Sequence, residues 1–288
     1  MHPVQIPGNL RRTVNIQTLM TGRQDYAGLF CMPGYGLTGG KPRFTMERRE
    51  DIYMKIHGLQ KMTLLDFPGK VACTVFLGGC DMRCPFCHNA ELIDGTAPAV
   101  MEEEELLAFL KKRTGLLEGV AITGGEPLLR DDTITLMEKI RELGYPVKLD
   151  TNGTHPDRLR KILDRGLAAY VAMDIKNSPD RYAVTAGLEK MELAPVRESV
   201  SLLMEGRTDY EFRTTVVAEL HDEDSFRGIG EWIRNARHYY LQKFTDRDTV
   251  PFGGFHAPED EKMLEYAAIA REYVPSAVIR GMDEQHKI

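Results

Sequence analysis

The sequence predicts an α/β fold built on a parallel sheet. Short β-branched, apolar runs recur from residue 70 onward, an amphipathic stretch of helical period follows each, and the chemically distinctive residues cluster just after the runs. Lys70–Leu77 (KVACTVFL) reads as a buried strand. Met101–Arg113 reads as a helix, acidic at its start and basic at its end, as the helix dipole favours. Gly119–Thr123 is a second strand, and Asp131–Leu143 a helix with Leu136, Ile140 and Leu143 on one stripe. Pro146–Thr151 is a third strand, and Pro156–Asp164 a helix that Gly166 ends. Ala168–Lys176 is a fourth strand, followed by a helix over Val196–Met204. Tyr210–Val217 and Tyr239–Phe244 are the fifth and sixth strands, with a helix over Ser225–Ala236 between them. A helix over Glu259–Tyr273 and a short strand over Ala277–Arg280 complete the series. Six such units fit an open or partial barrel as well as a doubly wound sheet, and in either the site gathers at the C-terminal strand ends.

The bulk properties narrow the function. A net charge of −6 argues against a broad electrostatic grip on nucleic acid. No apolar run approaches the roughly 20 residues of a membrane span, and the first residues lack a signal-peptide layout, so a cytoplasmic protein is expected. The cysteines number five, an odd count, with three inside eight positions, which reads as thiols gathered for a metal rather than a disulfide framework. Cys73 lies in an apolar run, Cys31 stands apart, and neither receives a role.

The three crowded cysteines are Cys80, Cys84 and Cys87, spaced C-x3-C-x2-C after the first strand and the flexible pair Gly78-Gly79. Three thiolates on one loop suit three corners of an iron–sulfur cubane and leave one iron open to a small molecule. Phe86, beside the last thiol, is placed to cover the cluster or to stack on a base. A structural zinc site with His88 as fourth ligand is the rival. Zinc prefers separated ligand pairs, and His88 directly follows Cys87.

Three further motifs end strands. Thr123-Gly-Gly-Glu-Pro127 offers glycines for close backbone approach and a carboxylate for an ammonium, or else a strand-to-helix turn with a helix-starting proline. Asp150-Thr-Asn-Gly153 reads as a ligand-facing acid or as an ordinary cap and turn. Met173-Asp-Ile-Lys176 sets Asp174 and Lys176 on one side of a strand tip, as a site pair or a surface salt bridge.

Taken together, these motifs resemble those of the radical S-adenosylmethionine (SAM) enzymes, over about residues 54–283. The resemblance implies a partial (β/α)6 barrel with its site at the C-terminal strand ends. It implies one [4Fe–4S] cluster on Cys80, Cys84 and Cys87, with SAM on the open iron and a 5′-deoxyadenosyl radical from its reductive cleavage. By the same resemblance Phe86, Gly124, Gly125, Glu126, Asp150, Lys176 and Arg213 contact SAM. Asp150, Thr151 and Asp174 hold a monovalent cation, as in pyruvate formate-lyase activase. No catalytic residue is expected beyond the cluster and SAM. Cys-His-Asn after the loop recurs among glycyl-radical activases. Leu65-Asp-Phe-Pro-Gly69 and Val278-Ile-Arg-Gly281 look most like the activating protein of anaerobic (class III) ribonucleoside-triphosphate reductase. The implied partners are that glycyl-radical enzyme and flavodoxin or ferredoxin as electron donor. Activation of pyruvate formate-lyase, a small-molecule reaction like that of 7-carboxy-7-deazaguanine synthase, and a non-catalytic zinc- or cluster-bearing interaction module are the alternatives. The sequence departs from the pyruvate formate-lyase activase pattern at the sixth strand, where Lys243-Phe244-Thr245 replaces a Pro-Tyr-His run. No cysteine follows Cys87, so auxiliary clusters are not expected.

Residues 1–53 stand apart, with a charge of +3 against −9 for the remainder and no sustained period. They read as an irregular extension. Alternatively, Arg48-Arg49, if encoded AGG-AGG, is a translated ribosome-binding sequence and synthesis starts at Met54. The expected layout is 1–53 extension, 54–283 core domain and 284–288 tail.

Overall fold

The computed structural model describes residues 12–13, 54–247 and 250–282. The expectations for the extension over 1–53, Cys31 included, and for the tail over 284–288 lie outside the described residues. The one exception is the backbone of Arg12–Thr13, which pairs in parallel with Phe252–Gly253.

One sheet dominates the described residues. Its strands are β1 (Gly58–Thr63), β2 (Ala72–Leu77), β3 (Gly119–Gly124), β4 (Val147–Thr151), β5 (Tyr170–Asp174), β6 (Asp209–Val216), β7 (Tyr239–Lys243) and β8 (Val278–Arg280). They lie side by side in the order in which they occur. β1 is antiparallel to β2, and every other pairing is parallel. A doubly wound sheet would reverse its order at a switch point. Here the order never reverses, so right-handed crossovers carry all the helices to one face and the sheet curls into a partial barrel with edges at β1 and β8.

The crossovers contain α1 (Glu103–Lys112), α2 (Asp132–Glu142), α3 (Pro156–Asp164), the one-turn α4 (Tyr182–Thr185), α5 (Ala194–Met204), α6 (Glu223–Trp232) and α7 (Asp260–Arg271). Local chemistry fixes several of their ends. In α6, Asp222 Oδ1 accepts from the Ser225 amide at 3.0 Å and Ser225 Oγ from the Asp222 amide at 3.2 Å, a reciprocal cap. At α1 the Glu102 amide donates to Glu105 Oε2 at 3.0 Å.

The strands are two-faced in an instructive way. Val147, Leu149, Val171, Met173, Phe212 and Leu241 are fully buried and belong to the core under the helices. The alternate positions carry Lys148, Asp150, Asp174, Glu211 and Arg213, so the concave face of the sheet is lined with charge. The strand set matches the expected one, and the bounds differ by a few residues at most. Several elements went unread in the sequence, among them the two-residue strand Lys55–Ile56 and its partner Met101–Glu102, which was expected to open a helix. β1 is an edge strand with an exposed Gln60-Lys61-Met62 centre, and α4 is a single turn.

Candidate active site

The cysteine loop leaves β2 through Gly78 and Gly79, the latter at φ +92°. It folds back on itself: the Gly79 amide donates to the Leu92 carbonyl at 2.7 Å and the Cys80 amide to the Ile93 carbonyl at 2.8 Å. Gly78 is also pinned from the edge strand's side, since its amide donates to His57 Nδ1 at 3.0 Å. The loop's far end is tied to the end of β7. His88 Nε2 donates to the Thr245 carbonyl at 2.7 Å, and its ring stacks on Phe244 at 5.6 Å, while Phe86 meets the same Phe244 edge-on at 6.4 Å. The segment that replaces Pro-Tyr-His in this chain thus serves as the loop's apolar anchor.

Asp81 adds a second tie. Its carboxylate accepts from Asn152 Nδ2 at 2.7 Å and Thr154 Oγ1 at 2.5 Å, and His155 Nε2 lies 3.2 Å away. Burial would raise its pKa, yet these partners hold it at about 2, so it is ionised throughout the working range. Sequence reasoning missed Asp81, His155 and the side chain of Asn152. The only available signal was their proximity to the cysteines and to Asp150-Thr-Asn-Gly153.

The Gly-Gly-Glu turn at the end of β3 packs backbone to backbone on this loop. A Cβ on Gly124 would sit 2.2 Å from the Leu77 carbonyl oxygen, and one on Gly125 2.1 Å from that of Gly79, so only glycine fits either position. Glu126 follows this glycine pair into the interior. Its side chain is 1% exposed and points into the protein. Its carboxylate accepts from the Leu128 amide at 2.9 Å, Thr151 Oγ1 at 2.8 Å and the Asn152 amide at 2.6 Å. With those three donors it splices the turn after β3 to the turn after β4.

The strand tips carry a chain of charges. Lys148 Nζ bonds Asp150; Arg213 Nη1 lies 3.1 Å from Asp150 Oδ2; Arg213 Nε bonds Asp174; and Lys176 Nζ lies 2.8 Å from Asp174 Oδ2. Burial opposes ionisation of both acids, but the adjacent cations prevail and lower both pKa values. The same coupling raises Lys176 and Arg213 against their own burial. At Asp150, Thr151 and Asp174, where a cation is expected, three protein cations pair with the two carboxylates and the Thr151 hydroxyl donates to Glu126. Behind Lys176, buried His221 donates from Nε2 to the Lys176 carbonyl at 2.9 Å and accepts the Val217 amide on Nδ1 at 3.1 Å.

These parts surround one cavity of about 460 Å³ at the C-terminal strand ends. Cys80, Cys84, Phe86, Cys87, Gly124, Gly125, Asp150, Thr151, Asp174, Lys176 and Arg213 all line it. Of the residues expected at the site, Glu126 is the one it leaves out. Gln60, Asp66, Thr74, Thr215, Gln242 and Arg247 extend the wall away from the thiols, and none of them was anticipated.

Residues 74–226 match the model of the radical SAM superfamily. The chain belongs to that superfamily. It is 30% identical over 241 residues to a Methanocaldococcus jannaschii protein named provisionally as a glycyl-radical enzyme activating enzyme, covering 81% of this chain and 98% of the relative. It is 26% identical to the 7-carboxy-7-deazaguanine synthase of Halobacterium salinarum over 71% of this chain and 80% of that one. The pyruvate formate-lyase-activating enzyme of Clostridium pasteurianum is 28% identical over 64% and 77%. In fold, Streptococcus suis SuiB bound to S-adenosylmethionine aligns with a TM-score of 0.57 at 12% identity, covering 70% of this chain and 48% of SuiB. A structure of TYW1 with a lysine-pyruvate adduct bound gives 0.53 at 18%, covering 70% and 74%.

Membership in this superfamily implies a [4Fe–4S] cluster and SAM, and the donor set fits them. Cys80, Cys84 and Cys87 are free thiols facing one cavity. Burial pushes Cys80 up to about 12 and Cys84 to about 11, and raises Cys87. Thiolates in so desolvated a place need a positive partner. Iron supplies it, and Lys176 pulls all three the same way. Among the described residues no three His, Cys, Asp or Glu side chains converge closely enough for a single ion. A cubane, with each thiolate on its own iron, suits that spread better than zinc does. No helix among the described residues is long and apolar enough to cross a membrane.

Proposed function

We propose that this radical SAM enzyme is an activase that installs a glycyl radical on a partner enzyme, the anaerobic ribonucleoside-triphosphate reductase. The reading rests above all on the relative named for glycyl-radical enzyme activation, which this chain matches over nearly that protein's whole length. The client choice rests on Leu65-Asp-Phe-Pro-Gly69 and Val278-Ile-Arg-Gly281. Cys80, Cys84 and Cys87 hold the cluster, and a flavodoxin or ferredoxin reduces it. Bound together, cluster and SAM supply a hydrogen-abstracting 5′-deoxyadenosyl group by one-electron cleavage.

The chain's own residues orient and shield. Gly124 and Gly125 bring backbone to the amino end of SAM, and Lys176 and Arg213 present positive charge to its carboxylate. Asp150 and Asp174 fix those two cations, and Phe86 closes the wall beside Cys87. The polar wall of Gln60, Thr74, Thr215 and Gln242, with Asp66 and Arg247 beside them, suits a peptide segment entering from the mouth. A second reading, synthesis of a small deazapurine, is favoured by the likeness to the Halobacterium salinarum synthase.

Anaerobic protein, loaded with iron and sulfide and given SAM and dithionite, separates these readings by paramagnetic resonance. A glycyl-radical doublet on the reductase is expected. A doublet on pyruvate formate-lyase alone reassigns the client, and formation of a deazapurine product with no protein client overturns the activase reading.

A further inference from the structure

Asn152 carries more than a turn. Its main-chain amide is held by Glu126 Oε2 at 2.6 Å, so the residue cannot drift along the chain. Its side-chain Oδ1 accepts from the Thr154 amide at 3.0 Å, while the Thr154 hydroxyl gives its one proton to Asp81 Oδ2 at 2.5 Å. The amide cannot flip without setting its NH2 against the Thr154 N–H and its oxygen against the Asp81 carboxylate. The NH2 end therefore faces the cysteine loop. One N–H goes to Asp81 Oδ1 at 2.7 Å, and Nδ2 lies 3.9 Å from Cys80 Sγ. The Met82 amide, 3.4 Å from the same sulfur, is the second donor. Asn152 is 5% exposed, so water does not compete for these bonds.

We propose that Asn152 is a positioning residue that sets the reduction potential of the cluster by holding an N–H donor on the Cys80 sulfur. The inference rests on the cluster occupying Cys80, Cys84 and Cys87. Hydrogen bonds to cluster sulfur favour the reduced state, because they stabilise the extra negative charge that reduction places on sulfur. A low dielectric strengthens the effect. The wedge of Asp81 between the two residues works in the same geometry: its anion orients the amide while the amide screens that anion from the thiolate. Glu126, Thr151 and Thr154 form the frame behind Asn152. A residue of the Asp150-Thr-Asn-Gly153 run, 72 positions from Cys80 in sequence, thereby acts on the electron-accepting centre and not on SAM.

The experiment is a redox titration of the cluster, monitored by paramagnetic resonance, in the full chain and in Asn152→Ser and Asn152→Asp, with iron content and melting temperature measured on each. Serine is too short to reach Cys80 Sγ. Aspartate keeps the acceptor for Thr154 and loses the donor. Both variants are expected to titrate at a lower potential, Asn152→Asp the lower of the two. A tenfold loss of preference for the reduced state reads as about 59 mV for one electron. Loss of iron from a variant that melts like the wild type also supports the assignment, because it ties Asn152 to the hold on Cys80. Wild-type potential in either loaded variant, or loss of the fold in both, overturns it. A wild-type chain that binds no cluster at all refutes the underlying ligand assignment instead, so the two failures are distinct.

Discussion

At the scale of single residues, Glu126 is the most telling. Burial pushes its pKa from the ordinary 4.5 up to about 7, against the pull of the three donors it accepts from. The folded state therefore holds a proton that the unfolded chain has released between those two pH values. The stability this gives is fully present below about 4.5 and is lost as pH rises through about 7. A shift of that size corresponds to about 3 kcal/mol. Glu126→Gln removes this titration and sets an amide N–H against a backbone N–H, at a cost of about 1–3 kcal/mol. In urea unfolding at pH 5, 6, 7 and 8, the advantage of wild type over Glu126→Gln is expected to shrink steadily with pH. A constant gap refutes the buried titration. The sequence showed Glu126 only as part of a ligand-binding turn, since nothing in Gly-Gly-Glu-Pro says that the carboxylate turns inward. It did show Cys80, Cys84, Cys87, Asp150, Lys176 and Arg213, because each follows a readable strand and parallel topology brings strand ends together. Asp81, His155 and Asn152 act through contacts between loops, which no local period encodes.

At the scale of elements, strands legible from their apolar faces are held in register partly by polar faces that the sequence hides. Arg280 on β8 reaches across β7 to Glu211 on β6, with Nη1 2.7 Å from Oε1 and Nη2 2.9 Å from Oε2. Its guanidinium lies 3.3 Å above the Tyr240 ring centroid, and Tyr170 donates to Glu211 Oε2 at 2.8 Å. Burial of Glu211 would raise its pKa, but the Arg280 bonds outweigh it and the acid is held low. The short last strand, three residues long, is thus clamped to the sheet by its final side chain. Arg280→Ala leaves Glu211 buried with only the Tyr170 hydroxyl. Breaking a buried pair costs about 3–5 kcal/mol, and Arg280's own partial exposure lowers the expectation to about 2–3 kcal/mol. A double-mutant cycle with Glu211→Gln, read by urea midpoint at pH 7, is expected to show strongly sub-additive losses; additive losses refute the clamp. β1 escaped notice for the opposite reason. As an edge strand it exposes its middle and has no apolar alternation to read, and only its pairing with β2 makes it a strand.

At the scale of the whole molecule, the partial barrel separates two jobs by face. The convex face buries its apolar side chains under helices in one continuous core, and the concave face keeps Lys148, Lys176, Arg213 and Arg280 against Asp150, Asp174 and Glu211. The cavity lining itself balances three positive against three negative side chains, in a chain whose net charge is −6, so the anionic end of a ligand finds its local partners in Lys176 and Arg213. The cavity wall takes residues from the loops or tips of β2, β3, β4, β5 and β6. A ligand that touches all five is linked to global stability, because unfolding any one of them releases it. SAM added without reductant to the cluster-loaded protein, at 100 times its Kd, is expected to add about 2.7 kcal/mol. For a chain of this size that is a rise in Tm of roughly 5–10 °C. Lys176→Met keeps much of the side chain's bulk but removes the charge facing the thiols, and is expected to lose most of the shift. A wild-type Tm indifferent to SAM, or a Lys176→Met shift equal to the wild type's, refutes the placement of SAM across these strand tips.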